Sequence, residues 1–249
     1  MRHVIKMQRA LVSMFVKRVP LSGLSRMIEM KRIREPFVYE SENLDYLFHS
    51  YNNMGITERS VEAPIIRHYL KRRKWERILE IGNVTNYYED YYAGLFPNKT
   101  VVDKIEQNYN ITTCDIARFI SPIPFDFIFS VSTFEHMDSD LGRNPDYVPG
   151  GARHGTVAAD NIIYCYEQLL RPGGLMVITA PLGYTPEWDQ TFTASALKDY
   201  GFKQFRRLLV SRTGEQKWEQ RKTFDLQEAF RYGAPHPYAN HVSIIEISK

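Results

Sequence analysis

The residues best suited to chemistry stand at the end of one apolar run. Phe125-Asp-Phe-Ile-Phe-Ser-Val-Ser-Thr-Phe-Glu-His-Met137 is strongly apolar at first and turns polar at its carboxyl end. Such a run reads as a central buried strand, and it delivers Ser130, Ser132, Glu135 and His136 to one sheet edge. An imidazole titrating near neutrality is suited to taking a proton from a reacting group. His136 is therefore the candidate base, with Glu135 and Asp138 as second choices. A histidine there can equally serve as a structural hydrogen-bonding group for a neighbouring loop, and the sequence leaves both roles open. Glu135, His136, Asp138 and Asp140 follow no zinc or calcium ligand spacing, so no metal is expected.

A second constellation lies upstream. Ile78-Leu-Glu-Ile-Gly82 is a short apolar run ending in a glycine, which lets the backbone turn closely over a ligand. Thr100-Val-Val-Asp103 is a further strand, and its terminal acid follows Gly82 by about 20 residues, the spacing at which a carboxylate reaches the ribose of a nucleotide lying across a sheet edge. A solvated turn aspartate is the plainer alternative.

These groups need a scaffold, and the rest of the chain supplies one. Strands are expected at Arg77–Ile81, Thr100–Asp103, Ile111–Thr113, from Phe125, and at Leu175–Ala180. A helix over Asp160–Leu170 stops at Arg171-Pro-Gly-Gly174. Strands alternating with helices predict an α/β fold, a parallel sheet with helices on both faces. Residues 37–56 look irregular and aromatic-rich. Thr57 to Arg73 reads as a helix carrying Pro64 in its early turns, and residues 139–156 form a long loop rich in Gly, Pro, Asp and Asn. The tail reads as strand, irregular or helical stretch, then strand, over Phe202–Arg212, Lys222–Tyr232 and Val242–Ser248.

Net charge is +3 over 249 residues, but residues 1–36 hold nine Lys/Arg against two acids. The remainder is therefore acidic, and a nucleic-acid-binding surface is not expected there. Residues 2–19 read as a basic amphipathic helix, able to pack on protein or to contact an anionic membrane surface at its periphery. Its longest uncharged run, Ala10–Val16, is too short to span a bilayer, and no signal-peptide cleavage site follows. Cys114 and Cys165 form no metal or redox spacing, which fits a reducing, cytoplasmic setting. The expected division is an extension over 1–36 and one domain over 37–249, with a lead-in at 37–74 and a core at 75–249. Oligomeric state is not legible.

Ile78–Gly82, Val101–Asp103, Asp126–His136 and Leu169–Gly174 with Leu175–Pro181, in that order, resemble the class I S-adenosylmethionine-dependent methyltransferases. The resemblance implies a three-layer Rossmann-like fold, with a seven-stranded, mostly parallel sheet whose last strand is antiparallel. S-adenosylmethionine would lie across the carboxyl ends of the first strands. Glu80 and Gly82 would frame its methionine portion, Asp103 its ribose, Asp115 and Ile116 its adenine, and Ser130 and Ser132 its sulfonium side. The family's further glycines are replaced here by Asn83-Val-Thr-Asn86; asparagine tolerates positive φ, so Asn83 and Asn86 are expected to preserve the turn, and their side chains to reach the cofactor.

Methyl transfer to a hydroxyl needs alignment and a base, roles for the site around His136. The expected acceptor pocket joins the segment around Tyr46–Asn53 to Tyr184, Trp188 and Asp189, whose apolar platform with polar groups suits a sugar or another polar ring. His154 in the long loop is placed to close over it. The stretch Ile56–Pro64 is weakly similar to methyltransferases of surface-glycan assembly. The expected activity is thus O-methylation of a small polar or glycan acceptor, lipid-linked if the basic helix meets membrane. The alternative is a catalytically silent methyltransferase-like binding or regulatory protein, suggested by the missing glycines.

Overall fold

The computed structural model describes residues 35–96, 98–138, 156–191, 193–214, 217–221 and 230–249. The helix expected over 2–19, the loop carrying Asp140 and His154, and most of Lys222–Tyr232 lie outside them. Residues 36–249 form one unit.

The lead-in is more ordered than its composition suggests. Strands β1 (Phe37–Tyr39) and β2 (Glu42–Leu44) pair antiparallel, joined by Glu40 and Ser41, both at positive φ. That turn usually takes Asn-Gly or Asp-Gly. Here the Glu40 carboxylate binds the guanidinium groups of Arg72 and Arg206, and its N–H donates to Gln220 Oε1 at 2.7 Å. Tertiary partners thus hold a turn that no local signature announces. Helix α1 (Arg59–Arg72) follows and buries Val61, Ile65, Ile66, Tyr69 and Leu70.

Strands β3 (Ile78–Ile81), β4 (Lys99–Asp103), β5 (Thr112–Thr113) and β6 (Phe125–Val131) come next. Helix α2 (Val157–Tyr164) runs into a π-helical turn at Cys165–Leu169 and then β7 (Leu170–Pro181). Short helices α3 (Pro186–Thr191) and α4 (Ala194–Asp199) precede β8 (Gln204–Gly214), β9 (Lys217–Arg221) and β10 (His241–Ser248). The main sheet has the order β5-β4-β3-β6-β7-β10-β8-β9. From β5 to β7 all neighbours are parallel, and β10 is antiparallel to both β7 and β8.

The sheet thus has eight strands where seven were expected. The addition, β9, is a polar edge strand whose buried Trp218 packs with one core cluster. One inward side chain in five leaves almost no alternation to read. The helical turns end at Leu169, just before Arg171-Pro-Gly-Gly174 as expected, but these four residues belong to β7 and bulge within it, since Phe125 pairs with Leu170 and Phe127 with Leu175.

Alternate side chains feed two cores. Phe127, Phe129 and Val131 of β6 join α1, while Phe125 and Ile128 join α2 and Trp188 on the other face. Every residue of β3 and β6 is buried, so the carboxyl ends of the central strands, where ligands of open α/β sheets bind, are held rigidly.

Candidate active site

A cavity of about 400 Å³ opens at those strand ends, lined by Ile81 to Val84, Val102 to Glu106, Cys114 to Ile116, Ser132, Thr133, His136 and Met137, with Tyr51, Val157 and Asn161 at its margins. Gly82 has φ +83°, and a Cβ there would come within 2.1 Å of Thr133 Oγ1. Two strand ends therefore approach as only glycine allows.

The turn after Gly82 needs no further glycine. Neither Asn83 nor Asn86 adopts positive φ; from Thr85 the chain enters a 3-10 turn, Thr85–Tyr88. The fully buried Glu80 carboxylate holds this turn from below. It accepts from the N–H of Val84 (2.9 Å) and Thr85 (2.6 Å) and pairs with Lys99 Nζ at 2.8 Å. Asn86 turns beneath the loop, where its Oδ1 accepts from Lys99 Nζ at 2.7 Å. The expectation that both asparagines reach the cofactor is thus corrected: only Asn83 lines the cavity. Glu80 acts through the turn and does not line the cavity.

Asp103 and Asn83 are joined directly. Asp103 Oδ2 accepts from Asn83 N–H at 3.0 Å, and its Oδ1 accepts from Ile105 and Glu106 N–H, both at 2.8 Å. Asp103 still lines the cavity. Beside it stands Glu106, which the sequence reading passed over: its Oε2 accepts from Asn83 Nδ2 at 2.5 Å and its Oε1 from Tyr87 Oη at 3.1 Å. The i, i+3 spacing of two acids after a strand was the available signal. Asp115 lines the same cavity, capping a short turn through Ala117 N–H and pairing with Lys104 at 3.1 Å. Ile116 lies next to it. Tyr51, from the segment expected to contribute to the pocket, lines the cavity and stacks on Tyr87 with ring centroids 4.1 Å apart.

Of the two strand serines, only Ser132 reaches the cavity. Ser130 is fully buried and donates to Ile81 C=O at 2.9 Å, being still inside β6, whereas Ser132 lies just past the strand's last residue, Val131. Ser132 has φ +42°, and its Oγ lies 2.8–2.9 Å from both oxygens of buried Glu62. His136 lines the cavity with 39% of its side chain exposed, and its Nε2 lies 3.7 Å from buried Glu135 Oε1. Burial, reinforced by the charge of Glu62, pushes the Glu135 carboxyl well above its usual range. Asp138 is spent elsewhere: it accepts from Val157 and Ala158 N–H at 2.6 and 3.1 Å and caps α2.

The loop after β7 divides. The Tyr184 ring stands 4.9 Å from His136 and 5.1 Å from Tyr232. Trp188 is fully buried against Phe134, so it is core and offers no open platform. Asp189 does not line the cavity; both its oxygens accept from Gly183 N–H, at 3.0 and 3.1 Å, and burial raises its carboxyl to about 6. Tyr46 likewise is structural, its hydroxyl accepting from Trp218 N–H at 2.9 Å. Among the described residues no group of His, Cys, Asp and Glu is arranged to hold a metal.

No protein-family profile and no curated protein matches the chain. Solved structures do. A SAM-dependent methyltransferase from Archaeoglobus fulgidus is 14% identical, with 76% of this chain and 93% of that one covered at a TM-score of 0.46. The N-methyltransferase NodS from Bradyrhizobium japonicum WM9, in complex with S-adenosyl-L-homocysteine, is 15% identical over 76% and 86% at 0.44. A possible histamine N-methyltransferase from Thermotoga maritima is 13% identical over 74% and 87% at 0.42. Likenesses this distant say nothing of the acceptor. By its own strand order, with the antiparallel β10 set between β7 and β8, the chain has the Rossmann-like fold of the class I methyltransferases.

Proposed function

We propose that this protein is an S-adenosylmethionine-dependent methyltransferase acting on a small polar acceptor. The observation that carries the reading is Asn83 Oδ1, a buried acceptor without a partner among the described residues, set beside Asp103 and Glu106 in a cavity at the parallel strands' carboxyl ends. A buried acceptor of this kind calls for a donor, and a ribose diol and an amino group supply such donors. Asp103 with Glu106 would hold the ribose hydroxyls, Asp115 and Ile116 the adenine, and Asn83 the methionine end. When bound, the cofactor supplies a methyl group activated by a sulfonium. His136, on the cavity wall and half-exposed, is the group placed to take the acceptor's proton.

A catalytically silent protein was suggested by the absent glycines, and the turn built on Glu80 removes that motive. A sugar platform at Trp188 has no support, because the indole is sealed in the core. Calorimetry with S-adenosylhomocysteine tests the cofactor assignment. Saturable binding in the micromolar range is expected, and no binding at millimolar concentration overturns it.

A further inference from the structure

One side chain of the cavity has its donors spent and its acceptor unused. Asn83 lines the cavity and is 8% exposed, and its Oδ1 has no hydrogen-bond partner among the described residues. Its main-chain N–H is taken by Asp103 Oδ2 at 3.0 Å, and its Nδ2 by Glu106 Oε2 at 2.5 Å. A carboxylate only accepts. Glu106 can therefore face only the NH2 end of the amide, which fixes the amide's orientation and leaves the carbonyl oxygen as the end available to a ligand.

Glu106 is itself held from several sides. Its N–H donates to Asp103 Oδ1 at 2.8 Å, and its C=O accepts from Thr113 Oγ1 at 2.6 Å. Tyr87 Oη donates to the carboxylate, at 3.1 Å from Oε1 and 3.2 Å from Oε2. The Tyr87 ring in turn stacks on Tyr51, the two planes 4° apart. A chain of contacts thus runs from the lead-in, through the turn after β3 and the loop after β4, to one amide group.

We propose that Glu106, braced by Tyr87, is a positioning residue that presents Asn83 Oδ1 to the cofactor's α-ammonium and so makes the site selective for a ligand carrying an amino group there. The proposal rests on the methyltransferase reading, which sets Asn83 at the methionine end. It adds to Glu106 a role distinct from any ribose contact. A hydrogen bond from an ammonium to an amide oxygen is charge-assisted and stronger than one between neutral groups. With the amide reversed, NH2 would meet ammonium, donor against donor, and both would be left unsatisfied.

The test uses the full chain and two probes, S-adenosylhomocysteine and its analogue with the α-amino group replaced by hydrogen, both titrated calorimetrically. The wild-type chain is expected to bind S-adenosylhomocysteine at least about tenfold more tightly than the analogue. Glu106→Ala, which frees the amide to turn, should reduce that preference to about twofold or less. Tyr87→Phe keeps the ring and loses the hydroxyl, and should give an intermediate value. Glu106→Gln keeps an acceptor for Nδ2 without the charge, and should retain at least about half of the wild-type preference. A loss in Glu106→Gln as complete as in Glu106→Ala assigns the effect to charge and overturns the positioning role. Equal wild-type affinities for the two probes overturn it as well, as does parallel weakening or loss of both in Glu106→Ala. Failure of the wild-type chain to bind S-adenosylhomocysteine sinks the methyltransferase reading itself, an outcome distinct from the others.

Discussion

Each functional atom of the site has a definable local cause. His136 is half-exposed at the cavity wall while Glu135, one residue before it, is sealed inside. If His136 is the base, His136→Ala leaves S-adenosylhomocysteine affinity unchanged and lowers turnover by at least about 100-fold; unchanged turnover removes it from that role. Glu62 makes a pH prediction with a definite sign. Its folded-state carboxyl is raised to about 7, chiefly by burial, so its ionised form is disfavoured in the fold. Relative to Glu62→Gln, the wild-type chain is then most stable below about pH 4.5 and loses that advantage as pH rises to 7, at a slope of at most about 1.4 kcal/mol per unit. Urea melts of the two proteins at pH 5 and 7.5 measure the difference, and a pH-independent offset contradicts it.

At the level of elements, the turn after β3 is the part whose construction departs most from the family pattern. Glycines usually make such a turn by conformational freedom. Here a buried acid makes it by hydrogen bonds to Val84 and Thr85 N–H, with Lys99 neutralising the charge. Removing one member of a buried pair leaves the other uncompensated. Glu80→Ala is therefore expected to cost about 3–5 kcal/mol in denaturant unfolding and to weaken S-adenosylhomocysteine binding, although Glu80 does not line the cavity. Full retention of ligand affinity would show that the turn holds its shape without it.

On the scale of the whole molecule, the cavity gathers residues from the ends of β3, β4 and β6, from the β5 region, and from the lead-in through Tyr51. A ligand bridging so many segments stabilises the native state by linkage. S-adenosylhomocysteine at 100 times its Kd adds about 2.7 kcal/mol, which for a chain of this size raises Tm by roughly 5–10 °C. A thermal scan with and without ligand checks this, and no shift at saturation contradicts it. Among the described residues no helix is long and apolar enough to cross a membrane.

The sequence by itself determined the α/β class, the strands at residues 78–81, 100–103 and 125–131, and the position of Gly82, Asp103 and His136 near one sheet edge, with Asp115 added by the family resemblance. Buried strands leave continuous apolar runs, and their ends are marked by polar residues, so local pattern sufficed. Only the tertiary structure decided that Ser130 and Trp188 are sealed within the sheet and core, that Asp138 caps a helix, and that Asp189 ties a loop. It also decided that Glu62 meets Arg59 and accepts from Ser132. Those outcomes depend on which face of an element a side chain occupies and on partners up to 70 residues away in sequence. No local pattern of residue types carries that information.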